Sequence, residues 1–100
     1  STLLASSAAS DVYKRQENDR LCFSVLSNYA RVLRRWKVQY AAKAPDKRFV
    51  EACHKLDEAE YYLDILCAGD SHERAEVVSY LLVDGRLDKL KETINGRDAA

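Results

Sequence analysis

The chain has 100 residues, of which 47% are apolar and 32% charged, and its 16 basic side chains balance 16 acidic ones. This composition excludes collagen-like and plainly disordered chains, and the neutral total provides no field that would draw the whole protein onto nucleic acid. No run of about 18 apolar residues is present, so we expect no membrane span. With three glycines and one proline, the composition favours a small all-α domain.

The first sixteen residues are predicted to be a disordered, non-native leader, separate from a helical domain over residues 17–100. The part from Ser6 to Gln16 resembles the in-frame translation of an adapter used in sequencing libraries, which implies that the natural N-terminus is missing. The alternative is a genuine flexible arm. A secretory signal is not expected, because Lys14 and Arg15 follow the apolar residues instead of preceding them.

A long helix is predicted next, from a cap at Asn18 or Asp19 to about Lys43. Apolar residues recur there every three or four positions, which is the period of one helix face. Pro45 ends this helix, since its ring clashes with a continuing turn. The predicted buried residues are Cys22, Val25, Leu26, Tyr29, Val32, Leu33, Trp36 and Tyr40.

A second helix is predicted over about Lys47–Cys67, with Asp46 as its N-cap and Gly69 after its end. Its apolar positions are Phe49, Ala52, Cys53, Leu56, Ala59, Leu63, Leu66 and Cys67. The first and second helices together predict an antiparallel pair.

A helix-turn-helix is predicted to complete this small antiparallel bundle. Asp70 and Glu73 have the spacing of a capping box for a helix over about Ser71–Val83, and Asp84-Gly85 breaks it before a last helix over Arg86–Ile94. A β-hairpin with a type I′ turn at Asp84-Gly85 is the alternative, but the following residues do not alternate well. The expected buried residues are Ala75, Val78, Leu81, Leu82, Leu87, Leu90 and Ile94.

Charge is segregated along the chain. Residues 31–48 carry seven cations against one acid, and residues 51–76 carry eight acids against two cations. The two segments either pair across the antiparallel helices, where each exposed pair contributes about 0–1 kcal/mol, or the basic one binds DNA phosphates or an acidic partner. The predicted partner or DNA-backbone contacts are Arg34, Arg35, Lys47 and Arg48.

The three cysteines lack metal-site spacing, and each lies on an apolar stripe. We therefore expect core thiols in a reducing cytoplasm, without disulfides or zinc. Neither a glycine-rich phosphate loop nor a Ser–His–acid set is present, so no catalytic residue and no cofactor is predicted.

One enzymatic alternative comes from acids spaced one helical turn apart. Asp57 and Glu60, with Glu73 and Glu76, could hold Mg²⁺ against a pyrophosphate. The string from Glu73 to Leu82 resembles the second metal-binding helix of the all-α nucleotide pyrophosphohydrolases. This resemblance implies Mg²⁺-dependent hydrolysis of a nucleotide.

A second resemblance covers about Asn28 to Arg97. The shared elements are Gln39-Tyr40, Lys47-Arg48-Phe49, the string Ser71 to Ala75, the string Leu81 to Leu87, and a Lys-rich last helix with a Gly96-Arg97 tail. Together they resemble the C-terminal part of the small, non-ATPase subunit of the sliding-clamp loader of T-even-type phages. The resemblance implies a non-catalytic DNA-replication subunit that packs against ATPase subunits inside a host cell and touches DNA weakly or indirectly. A helical scaffold of unknown role is the remaining alternative.

Overall fold

The computed structural model describes residues 2–42 and 46–96, and every regular element in those ranges is helical. Their order is α1 (Thr2–Ala41), α2 (Lys47–Ala68), α3 (Ser71–Leu82), a 3₁₀ turn (Val83–Gly85) and α4 (Arg86–Ile94). The all-α prediction is confirmed. The longest dimension is 64 Å, which matches α1, since 40 helical residues at about 1.5 Å each span roughly 60 Å.

α1 begins earlier than the sequence pattern predicted. The expected start at Asn18 or Asp19 is wrong, because the helix continues through both residues from Thr2. The preceding segment contains neither glycine nor proline, the two residues that most strongly interrupt a helix. Tyr13 is 60% exposed, and its neighbours up to Glu17 are exposed as well. The interpretation of residues 1–16 as a disordered, non-native leader stays a prediction.

α2 runs antiparallel to α1. The Arg34 side chain near the end of α1 meets Glu60 in the second half of α2, while Tyr40 lies against Arg48 in the first turn of α2. Asp46 caps α2 as expected, since its side chain accepts a hydrogen bond from the Arg48 backbone N–H at 2.8 Å. The predicted helix end at Lys43 and the breaker Pro45 lie outside the described residues.

The predicted capping box forms at the turn between α2 and α3. Asp70 accepts from the Glu73 N–H at 2.8 Å, and the Glu73 carboxylate accepts from the Asp70 N–H at 3.1 Å. Gly69 has φ −71°, so a left-handed backbone is not the reason why glycine occupies this position. A Cβ there would lie 2.6 Å from the Ile65 carbonyl oxygen, and this close approach requires glycine.

Asp84 and Gly85 interrupt the helical backbone between α3 and α4, as predicted. Their φ values are 56° and 67°, so both residues are left-handed, which Asp and Gly tolerate best. Helices lie on both sides, so the β-hairpin alternative is wrong for this segment. Arg86 ties the turn together, because its Nη1 donates to the carbonyl oxygens of Tyr80 and Val83 at 3.3 Å.

The core lies where the four helices meet along the second half of α1. Six predicted α1 positions are buried, while Val32 and Trp36 are half-buried. In the described residues the central core cluster comprises Cys22, Val25, Leu26, Tyr29, Ala30, Leu33, Leu56, Ala59, Val77, Val78, Leu81 and Leu87, and Tyr40 and Ala52 are buried outside it. Burial of this apolar surface is the main force that holds the helices together.

The buried face of α3 differs from the predicted one. Val77, Val78 and Leu81 are buried, whereas Ala75 is exposed and Leu82 is 43% exposed. Placing Ala75 and Leu82 in the core was wrong. Both line a wide groove of about 600 Å³ whose opposite wall is the polar α1 residues Arg15, Gln16, Asn18 and Asp19. Among the described residues that line this groove, α1 contributes polar side chains alone.

The core expectations for α2 are confirmed in part. Leu56 is buried, while Phe49 and Leu63 are half-buried. Cys67 is exposed, so its assignment to the core was wrong. In the last two turns Tyr62, Ile65 and Leu66 pack against the core, and Cys67 falls off that face.

Candidate functional site

Four cations of α1 form the basic face of the molecule: Arg31, Arg34, Arg35 and Lys37, all exposed. Arg31, Arg34 and Arg35 are spaced three and four residues apart, which places them on one side of the helix. Val38, one turn beyond Arg34 and Arg35, lies on the same side and is 76% exposed. The basic face therefore includes an apolar residue that water surrounds.

The basic face is mostly unpaired. Between the basic and the acidic segment, the described residues make one ion pair, from Arg34 Nη2 to Glu60 Oε1 at 3.5 Å. Its side chains are 58% and 47% exposed, so it contributes about 0–1 kcal/mol. Pairing between the basic and the acidic segment therefore explains the position of one of the four cations of the basic face, Arg34.

Lys47 and Arg48, the other two predicted contact residues, lie in the first turn of α2 and are exposed. Arg48 is already engaged within the chain. It pairs with Asp46 at 3.2 Å, and its guanidinium lies 4.7 Å from the centre of the Tyr40 ring, a cation–π distance. The hydrogen bond with Asp46 raises the pKa of Arg48. Arg48 therefore fastens the start of α2 to the end of α1.

A shallow groove runs beside the basic face between α1 and α2. It measures about 530 Å³, and its apolar lining is Val38, Ala41, Phe49 and Leu56. Arg34, Lys37 and Glu60 form its rim. Apolar surface with a charged rim is the arrangement found at protein–protein interfaces.

The predicted magnesium ligands do not come together. Glu60 faces Arg34, Glu73 accepts from the Asp70 N–H in the capping box, and Glu76 pairs with His72 at 3.0 Å. Within residues 2–42 and 46–96, no group of three or more His, Cys, Asp or Glu side chains is placed to hold a metal ion. Asp57 and its three predicted co-ligands thus lack the convergence that a hard cation needs.

The cysteines are free thiols in three different environments. Cys22 is buried, Cys53 is half-buried and Cys67 is exposed. Burial, with the Asp19 carboxylate nearby, raises the pKa of the Cys22 thiol. Cys22 belongs to the core cluster, and its raised pKa lowers the fraction of reactive thiolate.

A cluster of tyrosines that sequence reasoning assigned to no site lines a second opening, here named the tyrosine cleft. Tyr29, Tyr62 and Tyr80 come from α1, α2 and α3, and the cleft measures about 280 Å³. The Tyr62 and Tyr80 ring centres are 5.6 Å apart, within the range of favourable aromatic pairs. Burial and the nearby Glu58 raise the pKa of Tyr29. Helical periodicity could not reveal the cleft, because it joins residues from separate helices.

We expect the stability of the protein to fall steeply at alkaline pH through Tyr62. Burial, then hydrogen bonding to Tyr80 and the Glu58 charge, raises the pKa of Tyr62 from 10.0 to about 12. Because the folded pKa exceeds the unfolded one, this contribution is present below about pH 10 and is lost as pH rises towards 12. Urea unfolding at about pH 9 and about pH 11 should show a smaller loss for Tyr62→Phe than for the wild type. Tyr61→Phe is the control, and an equal loss in both variants would contradict the assignment.

The comparisons with known proteins leave the family open. No protein-family model, no curated protein and no solved structure matches this chain significantly. In the described part of the chain, none of the helices combines the length and apolar character needed to cross a bilayer. The functional argument therefore depends on the surfaces described above.

Proposed function

We propose that this chain is a non-catalytic helical interaction domain that binds a protein partner through its basic face and the adjoining groove. One observation carries the proposal: Val38 is exposed and lies among the cations of the basic face. In the described structure, Arg34 is the one of these cations that makes an ion pair. An unpaired charge stays hydrated at little cost, but an apolar side chain in water is stabilised when a partner covers it.

A protein partner is favoured over DNA as the main ligand. The chain carries 16 basic and 16 acidic side chains, so phosphate attraction is confined to one face. The groove lining of Val38, Ala41, Phe49 and Leu56 offers nothing to a phosphate backbone but suits apolar side chains. An acidic partner surface with apolar residues at its centre would match both features.

The concrete role we propose is an accessory subunit of a sliding-clamp loader. The resemblance to the small subunit of T-even-type phage loaders extends over about Asn28 to Arg97, a range that includes the basic face and all of α2, α3 and α4. In this role the partners are the ATPase subunits, and contact with DNA is weak or indirect.

The test is binding to the purified ATPase subunit of a T-even-type phage clamp loader, measured by calorimetry and gel filtration. Reversing two charges of the basic face, Arg34→Glu with Arg35→Glu, should weaken binding by about tenfold or more, since like charges then face each other. The matched control is Arg15→Glu with Arg20→Glu, which changes two exposed α1 cations outside the basic face.

Each outcome of this experiment has a definite meaning. If the wild-type chain does not bind the ATPase subunit, the clamp-loader role is overturned. Equal weakening by both pairs of substitutions overturns the basic face as the interface. Binding to duplex DNA that falls steeply with salt would instead assign the cations to phosphates. No feature of the described structure favours the pyrophosphohydrolase alternative, because its four carboxylates are dispersed.

A further inference from the structure

The tyrosine cleft has an apolar floor supplied by three helices. Leu26 of α1, Ala59 of α2 and Leu81 of α3 line it, and each is at most 3% exposed. Their side chains belong to the core, so the floor is held by the same packing that holds the fold. Small-molecule sites are typically concave, apolar openings with a few polar groups at defined places.

The wall of the cleft is held in place by Arg86. Its guanidinium lies 4.2 Å from the centre of the Tyr80 ring, while its Nη1 donates to two carbonyl oxygens at 3.3 Å. The Tyr80 ring in turn contacts that of Tyr62. An aromatic ring entering the cleft would therefore meet aromatic surfaces that are already positioned, which lowers the entropy lost on binding.

Two lysines of the lining remain unengaged. Lys55 on α2 and Lys89 on α4 line the cleft from different helices. In the described structure neither side chain makes an ion pair or hydrogen bond. Glu58 is the acidic member of the lining, and its charge contributes to the raised pKa of Tyr29 and of Tyr62. Arg86 is already paired with Asp84 at 3.9 Å, so the charge available to a ligand comes from Lys55 and Lys89, which outnumber Glu58 and favour an anion.

We propose that the tyrosine cleft binds a small aromatic carboxylate. Its ring packs on Tyr62, Tyr80 and the apolar floor, and its carboxylate pairs with Lys55 and Lys89. The volume of about 280 Å³ is enough for one or two fused rings and lies just below the range of about 300–1,000 Å³ typical of sites for drug-sized molecules. This site is independent of the proposed partner surface, because it shares no residue with the basic face.

The test is an NMR titration of the full-length, ¹⁵N-labelled chain with 2-naphthoate. The uncharged 2-naphthalenemethanol has the same rings and serves as the ligand control. We expect shifts of backbone amides around the cleft on α1, α2, α3 and α4 with both compounds. The acid should bind roughly tenfold more tightly, as expected for charge-assisted contacts.

Lysine variants then assign the charge effect. Lys55→Gln with Lys89→Gln should remove most of the preference for the acid and leave binding of the alcohol unchanged. Lys47→Gln with Lys91→Gln changes one exposed lysine on each of the same helices, both outside the cleft lining, and should preserve the preference. Absence of shifts at millimolar naphthoate, equal affinity for acid and alcohol, or a preference that survives Lys55→Gln with Lys89→Gln would each overturn the proposal.

Discussion

Replacing Leu33 by alanine should destabilise the protein by about 2–5 kcal/mol. The Leu33 side chain is fully buried in α1 and belongs to the core cluster shared by the four helices. Removing three carbons there loses their transfer free energy and leaves a cavity that the neighbouring helices fill only in part. A domain of this size has a total stability of about 5–15 kcal/mol, so a large share would be lost.

Val38→Ala is the matched control for Leu33→Ala, because Val38 lies on the same helix and is 76% exposed. A substitution at such a surface position should change stability by no more than about 0.5 kcal/mol. Urea unfolding followed by far-UV circular dichroism measures both variants. Similar losses at the two positions would mean that α1 does not bury the face described here.

The second large effect concerns two adjacent leucines of α3. Leu81 is 3% exposed and Leu82 is 43% exposed. Leu81→Ala should therefore cost about 2–5 kcal/mol, while Leu82→Ala should cost less than about 1 kcal/mol, because much of its surface is already in water. The two variants have the same composition and nearly the same helix propensity, which makes each the control for the other.

This pair tests the orientation of α3 directly. Urea midpoints and slopes for both variants separate a loss of stability from a change in the unfolded state. A greater loss for Leu82→Ala than for Leu81→Ala would show that α3 is rotated towards the face suggested by Ala75, Val78 and Leu82. It would also remove Leu81 from the floor of the tyrosine cleft.

The ends of α2, α3 and α4 could be predicted because they depend on neighbouring residues. Asp46, the Asp70–Glu73 capping box, Gly69 and Asp84-Gly85 act through the hydrogen bonds and backbone angles of a few adjacent positions. The start of α1 was missed for a related reason. Asn18 and Asp19 can cap a helix, but a residue of this type does not mark a helix start when the residues before it are also helical.

The candidate sites differ in how much the sequence revealed. The clustering of cations in residues 31–48 is visible directly, and helical spacing places Arg31, Arg34 and Arg35 together. The exposure of Val38 and the engagement of Arg48 with Asp46 and Tyr40 depend on how α1 and α2 pack. The tyrosine cleft could not be predicted, since Tyr29, Tyr62 and Tyr80 are separated by at least 18 residues.

The sequence by itself determined that this protein is helical, where three of its helices begin and end, and that its charge is divided between two segments. Those properties follow from apolar period, capping and turn chemistry, which act between residues a few positions apart. The tertiary structure alone decided which side of α3 is buried, that Cys67 faces water, and that four helices enclose a cleft. Burial depends on what lies opposite a side chain, and its neighbours in space come from distant parts of the chain.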